Sequence, residues 1–321
     1  MSAPPEVHYK TVIKAITEGR LVPFLGAGAS LCGRLKQWQK DQFEGLPSGQ
    51  ELTQHLIGEF SYPKELGETP DLLRVSQYAA VMEGTGPLYL GLHRIFDADY
   101  PPTPLHRFLA GIPGALRGKG LAPRPQLIVT TNYDDVLERA FRDAGEPFDL
   151  VMYVADGEER GLFRHRSHDG KVNKLIKRPN EYRGLALDQR PVILKIHGAV
   201  DRTDPEGDSY VITEDHYIDF MARHAELSSM VPVTLAAKLR QSHFLFLGYG
   251  LRDWNLRVIL QRMWGEQKFN FKSWAIQKDP KDLEQQYWKK RDVDIFDVDL
   301  AAYVAALKDR LQAPPAAGGA A

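Results

Sequence analysis

Several residue types able to do chemistry stand just past short apolar runs. Asn132 and Asp134 follow Leu127–Thr130 in LIVTTNYDD, and His197 follows the run Val192–Ile196 in VILKIHGAV. Gly26, Ala27, Gly28 and Ser30 follow Leu21–Leu25 in LVPFLGAGAS. His243–Leu247 leads into GYGLRDWN, which carries Gly248, Gly250, Asp253 and Asn255. Glycines allow backbone N–H groups to approach a diphosphate at a helix start. An asparagine amide both donates and accepts hydrogen bonds. A carboxylate can stabilise developing positive charge. A histidine, with a free pKa of about 6.5, can move a proton at neutral pH.

Each residue alone has a plainer reading. Gly26-Ala27-Gly28 suits a tight strand-to-helix turn, and Leu31 stands where the third glycine of G-x-G-x-x-G would be. Asn132 could cap a helix and Asp134 complement its dipole. His197 could be a hydrogen-bonded core residue, and Gly248 and Gly250 could only shape a turn. His93, His106 and His216 lie in helical patterns and read as structural. The weight rests on the combination.

That combination needs elements to position it. Leu21–Leu25, Leu127–Thr130, the run 192–196, His243–Leu247, Ser273–Ile276 and the run 294–298 are apolar without polar alternation. Such runs suit strands buried on both faces of a parallel sheet. Helical patterns separate them: residues 51–60 after a capping Ser48, 134–141 with Val136, Leu137, Ala140 and Phe141 on one stripe, and 301–311. The expected fold is therefore α/β, a doubly wound Rossmann-like parallel sheet. All four loaded strand ends would then meet at its C-terminal edge, where ligands bind. Residues 31–105 read as a helical excursion. Residues 151–191 read as a solvated polar insertion with a hairpin, crowding Arg160, Arg164, Arg166, Lys171, Lys174, Lys177 and Arg178. Residues 312–321, QAPPAAGGAA, read as a frayed tail.

Composition narrows the function. The chain has 321 residues, 43% hydrophobic and 26% charged, which is globular. With 41 basic and 42 acidic residues there is no overall field to hold nucleic acid, and few aromatics interleave the basic segment. No apolar run approaches the ~20 residues of a membrane span. The segment 1–10 lacks an apolar signal region, so a cytoplasmic protein is expected. Cys32 is the single cysteine, which leaves no internal disulfide and no cysteine-built zinc site.

GAGAS at 26–30, TNYD at 131–134, KIHG at 195–198 and GYG at 248–250 occur in the order of the sirtuin motifs. The chain thus resembles the sirtuin (SIR2-like) superfamily over roughly residues 20–300. It departs from the protein deacylases. Leu31-Cys32-Gly33-Arg34 replaces their Gly-Ile-Pro-Asp-Phe-Arg, and 199–247 holds VITEDHYIDF but no cysteine. The pattern is closer to the zinc-free bacterial SIR2-like proteins that cleave NAD in antiphage defence. The resemblance implies one catalytic unit over 1–311, NAD as substrate and no metal. It implies release of nicotinamide and ADP-ribose, or a cyclic product, under control of a homo-oligomer, a filament or a separately encoded partner. Asn132, Asp134 and His197 would be catalytic. Gly26, Ala27, Gly28 and Ser30 would hold the diphosphate, while Thr131, Gly248, Tyr249, Gly250 and Gln277 would bind the remaining cofactor. Two other readings are a nucleotide sensor or assembly module with little turnover, and a zinc-free deacylase or ADP-ribosyltransferase. A hydride-transferring dehydrogenase fits the fold but not the Asn/Asp/His set.

Overall fold

The computed structural model describes residues 4–40, 42, 44–63, 65, 70–124, 126–222, 230–251, 260 and 271–313. In chain order the strands are Leu21–Leu25 (β1), Leu127–Thr130 (β2), Asp149–Tyr153 (β3), Phe163–Ser167 (β4), Asn173–Ile176 (β5), Val192–Lys195 (β6), Gly198–Ala199 (β7), Ser209–Tyr210 (β8), His243–Leu247 (β9), Ser273–Ile276 (β10) and Val293–Phe296 (β11). The helices are Glu6–Thr17 (α1), Gly49–Glu59 (α2), Leu72–Glu83 (α3), Thr85–Phe96 (α4), Pro104–Gly118 (α5), Val136–Asp143 (α6), Glu214–Ala222 (α7), Val233–Arg240 (α8), Asp282–Lys289 (α9) and Leu300–Gln312 (α10).

Nine strands form one sheet in the order β11-β10-β9-β1-β2-β6-β3-β4-β5, and β7 pairs with β8 in a small ribbon. Neighbours from β11 through to β3 are parallel, and β4 runs antiparallel to both β3 and β5. The expected doubly wound α/β sheet is present. Its strands lack polar alternation because successive residues feed two cores. Val22, Phe24, Val129, Leu194 and Phe246 pack on one face with Phe220 of α7, Leu235 of α8 and Trp288 of α9. Leu21, Leu25, Ile128, Ile193 and Leu247 pack on the other with α1, α5, α6 and α10. A third core joins α2, α3 and α4 to Val136, Val200 and Tyr210, so the helices between residues 49 and 96 dock beside the strand ends. Ser48 caps α2 as expected, in a capping box with Glu51.

The boundary of the polar insertion is corrected. Residue 151 lies inside β3, a parallel neighbour of β6. Asp149 and His165 are fully buried here, with Asp149 bonded to Arg190 Nε at 2.8 Å and 3.2 Å from His165 Nε2. Polar residues at buried positions hide these strands from a hydrophobicity pattern. Several of the crowded basic groups are spent in ion pairs, including Arg166 with Asp201 and Arg164 with Glu159. The last strand is Val293–Phe296, one residue earlier at its start than expected, and Gln312 belongs to α10 instead of the tail. Residues 314–321, Asp253 and Asn255 lie outside the described residues. Among the described residues, no helix is long and apolar enough to cross a membrane, and no group of three or more His, Cys, Asp or Glu could hold a metal ion.

Candidate active site

Four strands end in one row. Leu25 of β1 pairs with Thr130 of β2 and Leu247 of β9, and Thr130 pairs with Lys195 of β6. Gly26, Thr131, Ile196 and Gly248 therefore leave the sheet side by side. The chain runs outward from β1 to β2 and β6, then returns to β9 on the opposite side of β1. That reversal is where open α/β sheets bind ligands. A cavity of about 480 Å³ opens over this edge, lined by Ala27, Ser30, Thr131, Asn132, Asp134, His197, Gly248, Tyr249 and Gly250.

Asn132 Nδ2 donates to Ser30 Oγ at 3.1 Å, and Ser30 Oγ donates to Asp134 Oδ2 at 3.1 Å. Asp134 Oδ1 accepts the Val136 N–H at 3.1 Å, at the first residue of α6, whose N-cap is Asp135. The Asn132 amide instead faces Ser30, while its main-chain N–H reaches Thr130 Oγ1 at 3.0 Å. Tyr133 anchors the turn, donating to the Val211 carbonyl at 2.7 Å and accepting from Val200 N–H at 2.9 Å through its own carbonyl.

His197 is 4% exposed and meets the rings of Tyr217 and Phe220 edge-on, with centroids 5.2 and 5.8 Å away. Burial pushes its pKa from the ordinary 6.5 down to about 3. This corrects the expectation of a group titrating near neutrality, because no compensating charge offsets desolvation. Nδ1 lies 3.4 Å from the Tyr217 hydroxyl, and Nε2 is buried without a partner. With the ring proton on Nδ1, Nε2 is left as an unpaired acceptor. His93, His106 and His216 serve elsewhere, beside Asp208, Thr103 and Asp156.

The glycines act by fitting together. Gly26 N–H donates to the Leu247 carbonyl at 3.1 Å and Gly28 N–H to the Gly248 carbonyl at 2.9 Å. Those two donors are thus engaged by the end of β9 and the residue after it. Gly26 and Gly28 stand behind the cavity wall, and a Cβ on either would lie 2.8 Å from Gly248 O. Gly248 has φ +72, and a Cβ there would lie 2.1 Å from Ala29 N. Tyr249 bonds Thr131 Oγ1 through its hydroxyl, joining the ends of β9 and β2. Gln277 does not line the cavity. It accepts Leu251 N–H at 3.2 Å and donates to Glu284 at 3.2 Å, bracing the loop after β9.

Sequence reasoning missed the opposite wall. Leu46, Pro47, Leu52, Leu72 and Phe96 supply an apolar surface, and Asp71 and Tyr217 add polar groups. Tyr217 sits in VITEDHYIDF, noted only as a replacement for a zinc module. The apolar wall has no local signal, because it arises from docking α2, α3 and α4 onto the sheet edge.

A family model described as a SIR2-like domain matches residues 126–296. The chain is 26% identical over 296 residues to a protein named Defense-associated sirtuin 2 from Bacillus subtilis, covering 89% of this chain and 24% of the relative. It is 27% identical over 255 residues to an NAD(+) hydrolase ThsA from Acinetobacter baumannii, covering 78% of this chain and 41% of that relative. A second NAD(+) hydrolase ThsA, from Cytobacillus dafuensis, is 25% identical over 263 residues, covering 82% and 42%. The chain thus spans about a quarter to two-fifths of these curated relatives.

Proposed function

The chain belongs to the SIR2-like domain family, and on that footing we propose that it cleaves the bond between nicotinamide and ribose in NAD+. The observation that carries this reading is the convergence of Ser30, Asn132, Asp134 and His197 on one cavity, with His197 Nε2 buried and unpartnered. Its charged lining among the described residues, Asp71 and Asp134, is acidic. That suits a cationic pyridinium ring and an oxocarbenium-like transition state. The apolar wall would receive the planar rings, and Ala27 and Ser30 would face the diphosphate.

Nicotinamide leaves as a neutral molecule while positive charge grows on the ribose. Asp134 stabilises that charge, and Asn132 orients the ribose or the attacking water. Water bonds to the anomeric carbon and becomes strongly acidic as it does so. Neutral His197 then suffices to accept its proton at Nε2, even with a low pKa. The products are nicotinamide and ADP-ribose. A cyclic product forms where an adenine nitrogen or a ribose hydroxyl attacks in place of water. The names of the relatives support a role in antiphage defence by NAD depletion. Such an enzyme would act in the cytoplasm, gated by self-assembly or a separately encoded partner. Chromatography of NAD+ incubated with the protein tests the reading: nicotinamide should appear. Binding of NAD+ without release in every assembly state would overturn it in favour of a nucleotide sensor.

A further inference from the structure

Lys195 closes β6 two residues before His197, and it is 1% exposed. A buried ammonium needs a counter-charge and acceptors for its protons. Lys195 Nζ meets Glu138 Oε1 of α6 at 2.8 Å and also donates to the main-chain carbonyl of Asp134. Glu138 is equally buried, its carboxyl pushed upward by desolvation against the opposing pull of Lys195, and its Oε2 has no partner. Such a pair is weak evidence for stability, because apolar residues of similar volume often serve as well. Its placement points to another use. Asp134 is held at three points: Ser30 on Oδ2, Val136 N–H on Oδ1 and Lys195 on its main-chain oxygen. The first tie reaches the β1 loop, the second α6 and the third β6. The last ladder bond between β2 and β6 is Ile196 N–H to Thr130 O at 3.0 Å. Beyond it the chain must still set where the Asn132–Asp134 turn stands relative to His197.

We infer that Lys195 and Glu138 are positioning residues, which fix the Asp134 main chain so that Asn132, Asp134 and His197 share one geometry across the cavity. The chemistry rests on the proposed NAD cleavage; the placement does not. Removing either partner alone risks leaving an uncompensated buried charge. The test therefore uses Lys195→Met together with Glu138→Leu, and separately Glu138→Asp, which keeps a carboxylate for Lys195. Steady-state NAD+ cleavage and hydrogen exchange at the amides of residues 132–136 are measured on the full chain. In the double variant kcat should fall by about tenfold or more with KM within about twofold, since misplacement costs orientation and not affinity. Exchange at 132–136 should quicken. Glu138→Asp should keep kcat within several-fold of wild type. Wild-type kcat in a cooperatively melting double variant, or a loss in Glu138→Asp equal to that of the double variant, would overturn the inference. If the wild-type chain releases no nicotinamide, the functional reading fails, and exchange still decides: unchanged protection at 132–136 overturns the placement.

Discussion

In the proposed reaction His197 is the proton acceptor. Burial holds its pKa at about 3. A lowered histidine pKa keeps the neutral, accepting form populated until the pH falls towards that value. NAD+ cleavage should therefore stay flat from about pH 8 down to about pH 5.5, without the acid limb of an unperturbed histidine at about 6.5. An initial-rate profile checks this, and a limb at about 6.5 would place a solvated, protonatable imidazole in the site. The place of Asn132, Asp134 and His197 at strand ends was legible in the sequence because each stands within four residues of an apolar run. The state of His197 was not legible. It depends on Tyr217 and Phe220, which arrive from α7. Lys195 was hidden for a related reason: within KIHG it reads as a strand end, and its partners lie on α6.

At the scale of elements, the site depends on how closely the β1 and β9 loops approach. Gly248 has both a positive φ and no room for a Cβ, whereas Gly250 has nothing within 4 Å of one. Gly248→Ala should destabilise the fold by about 3 kcal/mol or more, through backbone strain and the clash with Ala29. Gly250→Ala should be close to neutral. Thermal denaturation of the pair checks this, and equal melting of Gly248→Ala and wild type would mean that the loops are not packed as described. The parallel strands were readable from their composition, and β1, β2, β9 and β10 match their expected limits. A hairpin was expected within 151–191 and β4 with β5 forms one, but β3 and the burial of β4 were not readable, because Asp149 and His165 occupy buried positions as a polar pair. Hydrophobic periodicity cannot distinguish such a strand from a solvated loop.

The molecule as a whole is a sheet with a core on each face and a third core under the helices that wall the cavity. The class of fold was legible because the alternation of strands and helices is a property of the whole chain. The apolar wall was not, since it depends on how distant segments dock. Unrestrained NAD cleavage would poison a cell, so the proposed activity needs a gate beyond the cavity. Light scattering with and without NAD+ should show assembly accompanying turnover, and a fully active monomer would contradict gating by self-assembly. In the proposed reaction one cluster breaks the nicotinamide–ribose bond. Its most direct measurement is nicotinamide released from NAD+ by wild type, Asn132→Ala and His197→Ala at matched melting temperature. Wild type should release nicotinamide, and each variant should lose about 10²-fold or more. Wild-type turnover in both variants would contradict it.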